Sequence, residues 1–184
     1  RAAMAPMTRV ASDINGLPSE KLARYYIRKA KEGIGLIITE SAAINGSTAK
    51  GYVNGLQFHS KEHVQAWKPV IKEIKKHGAK VWIQLFHAGR LSVKAITGTA
   101  TVGPSAVDLG KSSSFWRNDV DGKIIHFQTK TEFVKPVVLS KEEITTIISE
   151  FKNACLYAEQ AGFDGVELHG AHGYLIHQFF HPST

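Results

Sequence analysis

Two hydrophobic periods take turns along the chain, and the turns between them are marked by glycine and proline. From Ser19 to about Glu32, Leu22, Tyr26 and Ala30 recur at a spacing of four, which predicts a helix with a narrow apolar stripe ended by Gly33 and Gly35. Leu36 to Glu40 then reads as a strand apolar enough to be buried on both faces. Ala42 to His59 reads as a loop, rich in Gly and Asn. A second helix is expected from Ser60, burying Val64, Trp67, Ile71 and Ile74 and stopping at His77-Gly78; Pro69 removes an amide donor inside it and predicts a kink or a broken first half. Val81 to His87 is the next strand, with Gln84 on the face of Trp82 and Phe86.

Beyond it the periodicity lapses. Leu91 to Val138 is an insertion with an alternating piece at Lys123 to Thr129, the pattern of a hairpin of its own. Ser140 and Glu143 then form a capping box, and Ile144, Ile147, Ile148, Phe151, Cys155 and Ala158 trace one apolar stripe to Gly162. The last strand opens at Phe163, with Val166 and Leu168 pointing one way and Glu167 and His169 the other.

Strand and helix therefore alternate, and polar residues collect where the strands end: Thr8, Glu40, Gln84 and His169. That is the layout of βα units, which build a parallel sheet with its site at the carboxyl edge. A doubly wound sheet would carry a G-x-G-x-x-G at an early strand-to-helix turn, and the chain has none. The expected fold is α/β, a (β/α)8 barrel of the TIM type with about the first four βα units present and an insertion after the third strand. Residues 1–184 form one domain on this reading, with the insertion at about 91–138.

Composition narrows the function. The hydrophobic share of 43% suits a domain with a sizeable core, and no run of eighteen apolar residues suggests a membrane span. The chain lacks a signal peptide's apolar stretch and an initiating Met, so residues are expected to precede Arg1. Its formal net charge is +7, but the basic residues are scattered, as at Lys72, Lys75 and Lys76, without the aromatic interleaving of a nucleic-acid binder. Cys155 is the single cysteine, which fits a reducing, cytoplasmic setting.

The candidate chemistry gathers at the end of the last strand. His169, His172 and Tyr174 fall within six residues, separated by glycines that allow a tight turn. Three hydrogen-bond donors at a strand tip suit a site that grips and protonates a small molecule. His169 and His172, with His177, His181 and Glu167 nearby, also allow a second reading as ligands of a metal-dependent barrel enzyme.

The run His169-Gly170-Ala171-His172-Gly173-Tyr174-Leu175, followed by Gln178-Phe179, resembles the old yellow enzyme family of FMN-dependent ene reductases. Ala5-Pro6-Met7-Thr8-Arg9, Leu36 to Glu40, and Gln84-Leu85-Phe86-His87-Ala88-Gly89-Arg90 are similar to that family's first three strand motifs, in order. The resemblance implies FMN held by Pro6, Met7, Thr8, Ser41, Gln84 and His169, with NADH or NADPH as reductant. Gln84 would meet the pyrimidine edge of the ring and Thr8 its C4 carbonyl. His169 and His172 would hold the carbonyl oxygen of an enone-type substrate, and Tyr174 would protonate Cα as hydride reaches Cβ. Ser41 stands where many relatives have Gly or Ala, and Asn54-Gly55-Leu56 lacks their Pro-Gly.

A complete barrel of this type takes about 250 residues. The chain is accordingly expected to be an N-terminal half, with its flavin phosphate contacts elsewhere. Alone, it is expected either to need the other half of the barrel or to self-associate, as a catalytically inactive half-barrel that binds a partner chain. The apolar surfaces around Trp82, Phe86 and the strand from Phe163 would be uncovered.

Overall fold

The computed structural model describes residues 2–92, 94–110, 117–118, 124–125, 133–182 and 184. Its first strand, β1 (Ala3–Met4), is short because Pro6 follows and has no amide to continue a ladder. Helix α1 (Glu20–Lys31) is capped by the Ser19 hydroxyl, which accepts from the Leu22 amide, and it buries Leu22, Tyr26 and Ala30 as the spacing predicts. β2 (Leu36–Ala43) runs three residues beyond Glu40, and β3 (Leu56–Gln57) lies within the stretch expected to be loop. β3 pairs with Ala42 and Ala43, on the part of β2 that β1 does not reach.

Helix α2 (Lys61–Lys76) continues through Pro69 instead of breaking there. Pro69 is exposed, so the carbonyl deprived of its amide partner sits on the side of the helix that faces water. β4 (Lys80–Phe86) comes next, then a 3-10 turn (Gly89–Leu91) and α3 (Lys94–Thr97). β5 (Val102–Gly103) pairs in parallel with β8 (Val137–Val138). Between them β6 (Arg117–Asn118) and β7 (Ile124–Ile125) pair antiparallel; the rest of the alternating piece at 123–129 lies outside the described residues. Helix α4 (Lys141–Ala161) has its full capping box, with the Glu143 carboxylate accepting from the Ser140 amide, and ends at Gly162 with φ 94°. β9 (Gly165–Leu168) and α5 (Leu175–Phe180) close the chain.

The barrel strands run β1-β2-β4-β9, all parallel, so that each sequential βα unit adds one strand beside the last. The core fills the space between sheet and helices, with Trp67, Tyr26, Phe58, Ile74 and Ile83 fully buried. Gly165 has a packing reason: a Cβ there would come within 2.7 Å of the Trp82 indole. One prediction of the apolar stripe fails, since Ile148 on α4 is 63% exposed while Ile147, Ala154 and Ala158 carry the packing. No helix among the described residues is long and apolar enough to cross a membrane.

Candidate functional site

Register brings the polar strand ends into one row. Ser41 of β2 stands beside Gln84 of β4, and Gln84 beside Glu167 of β9. An irregularity between Ile38 and Ser41 makes this possible: β2 takes three steps where β4 takes two, so Ser41 joins the face of Ile38. The Thr8 hydroxyl lies 3.3 Å from that of Ser41, and the Gln84 amide nitrogen donates to Glu167 Oε1 at 2.6 Å. Thr8, Ser41 and Gln84, separated by dozens of residues in sequence, thus form one polar edge. Of the other expected cofactor contacts, Pro6 is half-buried and Met7 is exposed, both leading into Thr8.

The same irregularity sends Glu40 the other way, towards α1. Its carboxylate accepts from the Arg9 amide at 3.0 Å and from the Tyr26 hydroxyl at 3.4 Å, while its own amide donates to Tyr26 Oη at 2.9 Å. Glu40 therefore ties the loop carrying Thr8 to the strand carrying Ser41. Burial is the main influence on its carboxyl and pushes it up to about 7, against the opposing pull of the Arg9 and Val10 amides. A raised carboxyl binds its proton in the fold at pH values where the unfolded chain has lost it. The stability it confers is complete below the ordinary value of 4.5 and is lost as pH rises through about 7. Glu40→Gln is expected to flatten that dependence. Between pH 5 and 8 the parent should lose roughly 1–3 kcal/mol more than the variant in urea unfolding. Equal pH slopes for the two proteins would remove Glu40 as the cause.

At the tip of β9 the chain turns sharply, with His172 at φ 56° and Gly173 at φ 77°. A left-handed histidine is uncommon, and such backbone positions cluster at functional sites. The His169 amide still donates to Leu85 O, and Leu175 N to His87 O, so both ends of the turn are fixed to the end of β4. His87 is itself buried and neutral, burial lowering its pKa to about 4. Its Nδ1 accepts from the Gly89 amide, which leaves the proton on Nε2 to donate to Thr48 Oγ1 at 3.1 Å.

The turn brings the three expected side chains together. The His169 ring stands edge-on to His172 and to Tyr174, with centroids 5.1 and 4.8 Å apart. The two imidazoles are not both free to donate, as the sequence reading supposed. His169 Nδ1 accepts from the Ala171 amide, so its proton is on Nε2 and points to His172 Nδ1 at 3.4 Å. His172 keeps its outward N–H at Nε2, and His169 must leave His172 to donate elsewhere. Burial, with His172 close by, lowers the His169 pKa, so the ring is neutral at neutral pH.

Tyr174 packs edge-on to Phe86 and places its hydroxyl 2.5 Å from that of Tyr52. Burial first, and the Tyr52 hydroxyl second, raise its pKa, which keeps the phenol protonated. Tyr52 was missed in the sequence. Its only local sign is an aromatic residue set in the Gly51 to Gly55 stretch, and its partner lies 122 positions away. The metal reading finds no support in geometry: among the described residues no three of His, Cys, Asp and Glu come together as ligands. His177 instead accepts from the Gly173 amide at 2.8 Å.

Comparison with known proteins gives this arrangement its relatives. The profile of the NADH:flavin oxidoreductase / NADH oxidase family matches residues 1–184. The chain is 34% identical over its whole length to 12-oxophytodienoate reductase 1 of Oryza sativa subsp. japonica, covering 44% of that protein. Against 12-oxophytodienoate reductase 2 of Arabidopsis thaliana it is 35% identical over 179 residues, 97% of this chain and 45% of the relative. Among solved structures, the old yellow enzyme homologue from Zymomonas mobilis superposes with a TM-score of 0.85 at 30% identity, over all of this chain and 48% of that one. Morphinone reductase, solved in complex with tetrahydroNAD, gives 0.84 at 30% identity, over 99% of this chain and 48% of that one. The chain thus spans about half the length of the relatives it matches. It is the N-terminal half of an old yellow enzyme-type barrel, and it belongs to the NADH:flavin oxidoreductase / NADH oxidase family.

Proposed function

We propose that the whole protein is a flavin-dependent oxidoreductase that reduces the C=C bond of α,β-unsaturated carbonyl compounds with NADH or NADPH, in a reducing compartment such as the cytosol. The observation that carries this reading is the register of β9 on β4, which starts the His169-His172-Tyr174 turn two residues after Glu167, the neighbour of Gln84 on the polar edge with Ser41 and Thr8. FMN fits that edge by its donor set. Gln84 has its amide nitrogen engaged by Glu167, and no described residue donates to its amide oxygen, which suits a pyrimidine N–H. The Thr8 and Ser41 hydroxyls, already paired, supply one donor towards a ring carbonyl. Bound flavin would contribute the hydride-transfer chemistry that no side chain here can perform.

The remaining steps belong to the chain itself. His172 Nε2–H takes the substrate's carbonyl oxygen, and His169 Nε2–H joins it on leaving His172. Two imidazole N–H donors stabilise negative charge as it develops on that oxygen. Tyr174, kept protonated by burial, delivers its proton to Cα, and the Tyr52 hydroxyl, 2.5 Å from that of Tyr174, can hydrogen-bond the phenolate left behind.

Phenolates present the same charged oxygen without turning over, which makes them a direct probe. Replacing His169 or His172 by Ala is expected to weaken phenol binding by about tenfold or more, since a hydrogen bond to a charged group is worth roughly 1.5–3 kcal/mol. The flavin absorbance band in a phenol titration of the whole enzyme reads this out. Unchanged affinity in both variants would take the two histidines out of the site.

A further inference from the structure

Arg90 ends the motif that begins at Gln84, and the chemistry around Tyr174 does not use it. A buried arginine is ordinarily explained by an ion pair, and this one has none: the Nε and Nη2 atoms are buried without a hydrogen-bond partner among the described residues. The residue is only 6% exposed, and burial lowers its pKa without making the guanidinium neutral. Among the described residues only its backbone is engaged, the amide donating to Gln178 Oε1 at 3.2 Å. Gln178 is in turn held by Ala88 O and Gly173 O, so the surroundings of Arg90 are fixed from both sides.

Arg90 lines a pocket of about 280 Å³ that also includes Val107, Leu109, His177, Gln178 and His181. Among the described residues no acidic side chain lines it. Asp108, between two of the lining residues, is exposed and accepts from the Gly110 amide instead. A buried guanidinium with one edge unmade is costly, and the missing partner is specified by geometry. Nε and Nη2 form the flat side of the fork, two parallel N–H donors at the spacing of the two oxygens of a carboxylate. The Val107 and Leu109 side chains, each more than a third exposed, offer apolar cover to whatever is attached to it.

We propose that the Nε–Nη2 edge of Arg90 is a carboxylate-binding site, suited to a monocarboxylate with a short apolar tail, independent of the role given to Tyr174. The carboxylate comes either from a free small molecule or from an acidic side chain of the protein, and one experiment separates the two. The Arg90 Nε–H resonance is assigned by its loss in Arg90→Met and followed while the protein is titrated with butyrate. A saturable shift, with binding weakened at least about tenfold in Arg90→Lys, which keeps the charge and loses the fork, identifies a free-carboxylate site. An Nε–H already protected from exchange and unmoved by butyrate, together with a lower unfolding midpoint for Arg90→Met, identifies a carboxylate of the protein on the same edge. The proposal is overturned if Nε–H exchanges freely, butyrate has no effect and Arg90→Met is as stable as the parent or more so. It is also overturned if inorganic phosphate at equal ionic strength reproduces the butyrate response, which would reduce the site to general attraction of anions.

Discussion

Tyr174→Phe is expected to slow reoxidation of the reduced flavin by an enone about a hundredfold or more, and to leave reduction by the nicotinamide nearly unchanged. The substitution removes one oxygen and little else. The ring keeps its edge-on packing against Phe86 and His169, so the turn after β9 has no reason to move. What is lost is the proton that burial holds on the phenol, and with it the short contact to Tyr52. Only the half-reaction that protonates carbon needs that proton, so the two halves should separate. Tyr52→Phe supplies a graded comparison, since it leaves the donor and removes its neighbour. Stopped-flow traces of both half-reactions in the whole enzyme decide the matter. Equal slowing of the two in Tyr174→Phe would place the residue in binding or packing and not in acid catalysis.

How far such a site is legible in sequence depends on whether its parts are local. The His169 to Tyr174 cluster is, because six residues and their glycines carry both the side chains and the turn. Helices α1 and α4 were legible through their caps and stripes, each being decided by neighbours three and four residues apart. The stripe misled at Ile148, because periodicity says which positions share a face and not how far the opposing surface extends. Pro69 misled for a related reason, since the cost of a missing amide depends on whether water can satisfy the carbonyl left behind. The irregularity in β2 was invisible. Strict alternation cannot place both Ile38 and Ser41 on one face, yet that placement sends Glu40 to Tyr26 and Ser41 to Thr8. Pairings at long range, Tyr52 with Tyr174 above all, arise from the fold and leave no mark on the neighbouring sequence.

The 184-residue polypeptide on its own is expected to self-associate and to bind FMN weakly or not at all. The sequence reading placed the uncovered apolar surface around Trp82, Phe86 and the strand from Phe163; that strand does expose Leu168, but the two aromatic positions need correction. Phe86 is buried against Tyr52 and Tyr174, Phe163 against Phe58 and Trp67, and Trp82 is half-buried. The exposed surface is a groove of about 390 Å³ between α4 and α5, with Ile144, Ile148, Phe151, Leu168, Ile176 and Phe180 among its walls. Ile148 at 63%, Leu168 at 52% and Phe180 at 77% exposure are far outside the usual range for such side chains in one patch. Covering each fully would contribute about 1.5–3 kcal/mol, enough in combination to drive association at micromolar concentration. Beside the groove, β9 is paired only with β4 among the described residues, so its other edge offers a ladder to any strand that fits. FMN is expected to gain little from the same polypeptide, for on the proposed reading Thr8, Ser41 and Gln84 would meet only its ring. Sedimentation velocity and the visible spectrum test both halves of the expectation on one sample. Oligomers that carry no yellow colour are the expected result; a monomeric, yellow, enone-reducing preparation of this polypeptide would overturn it.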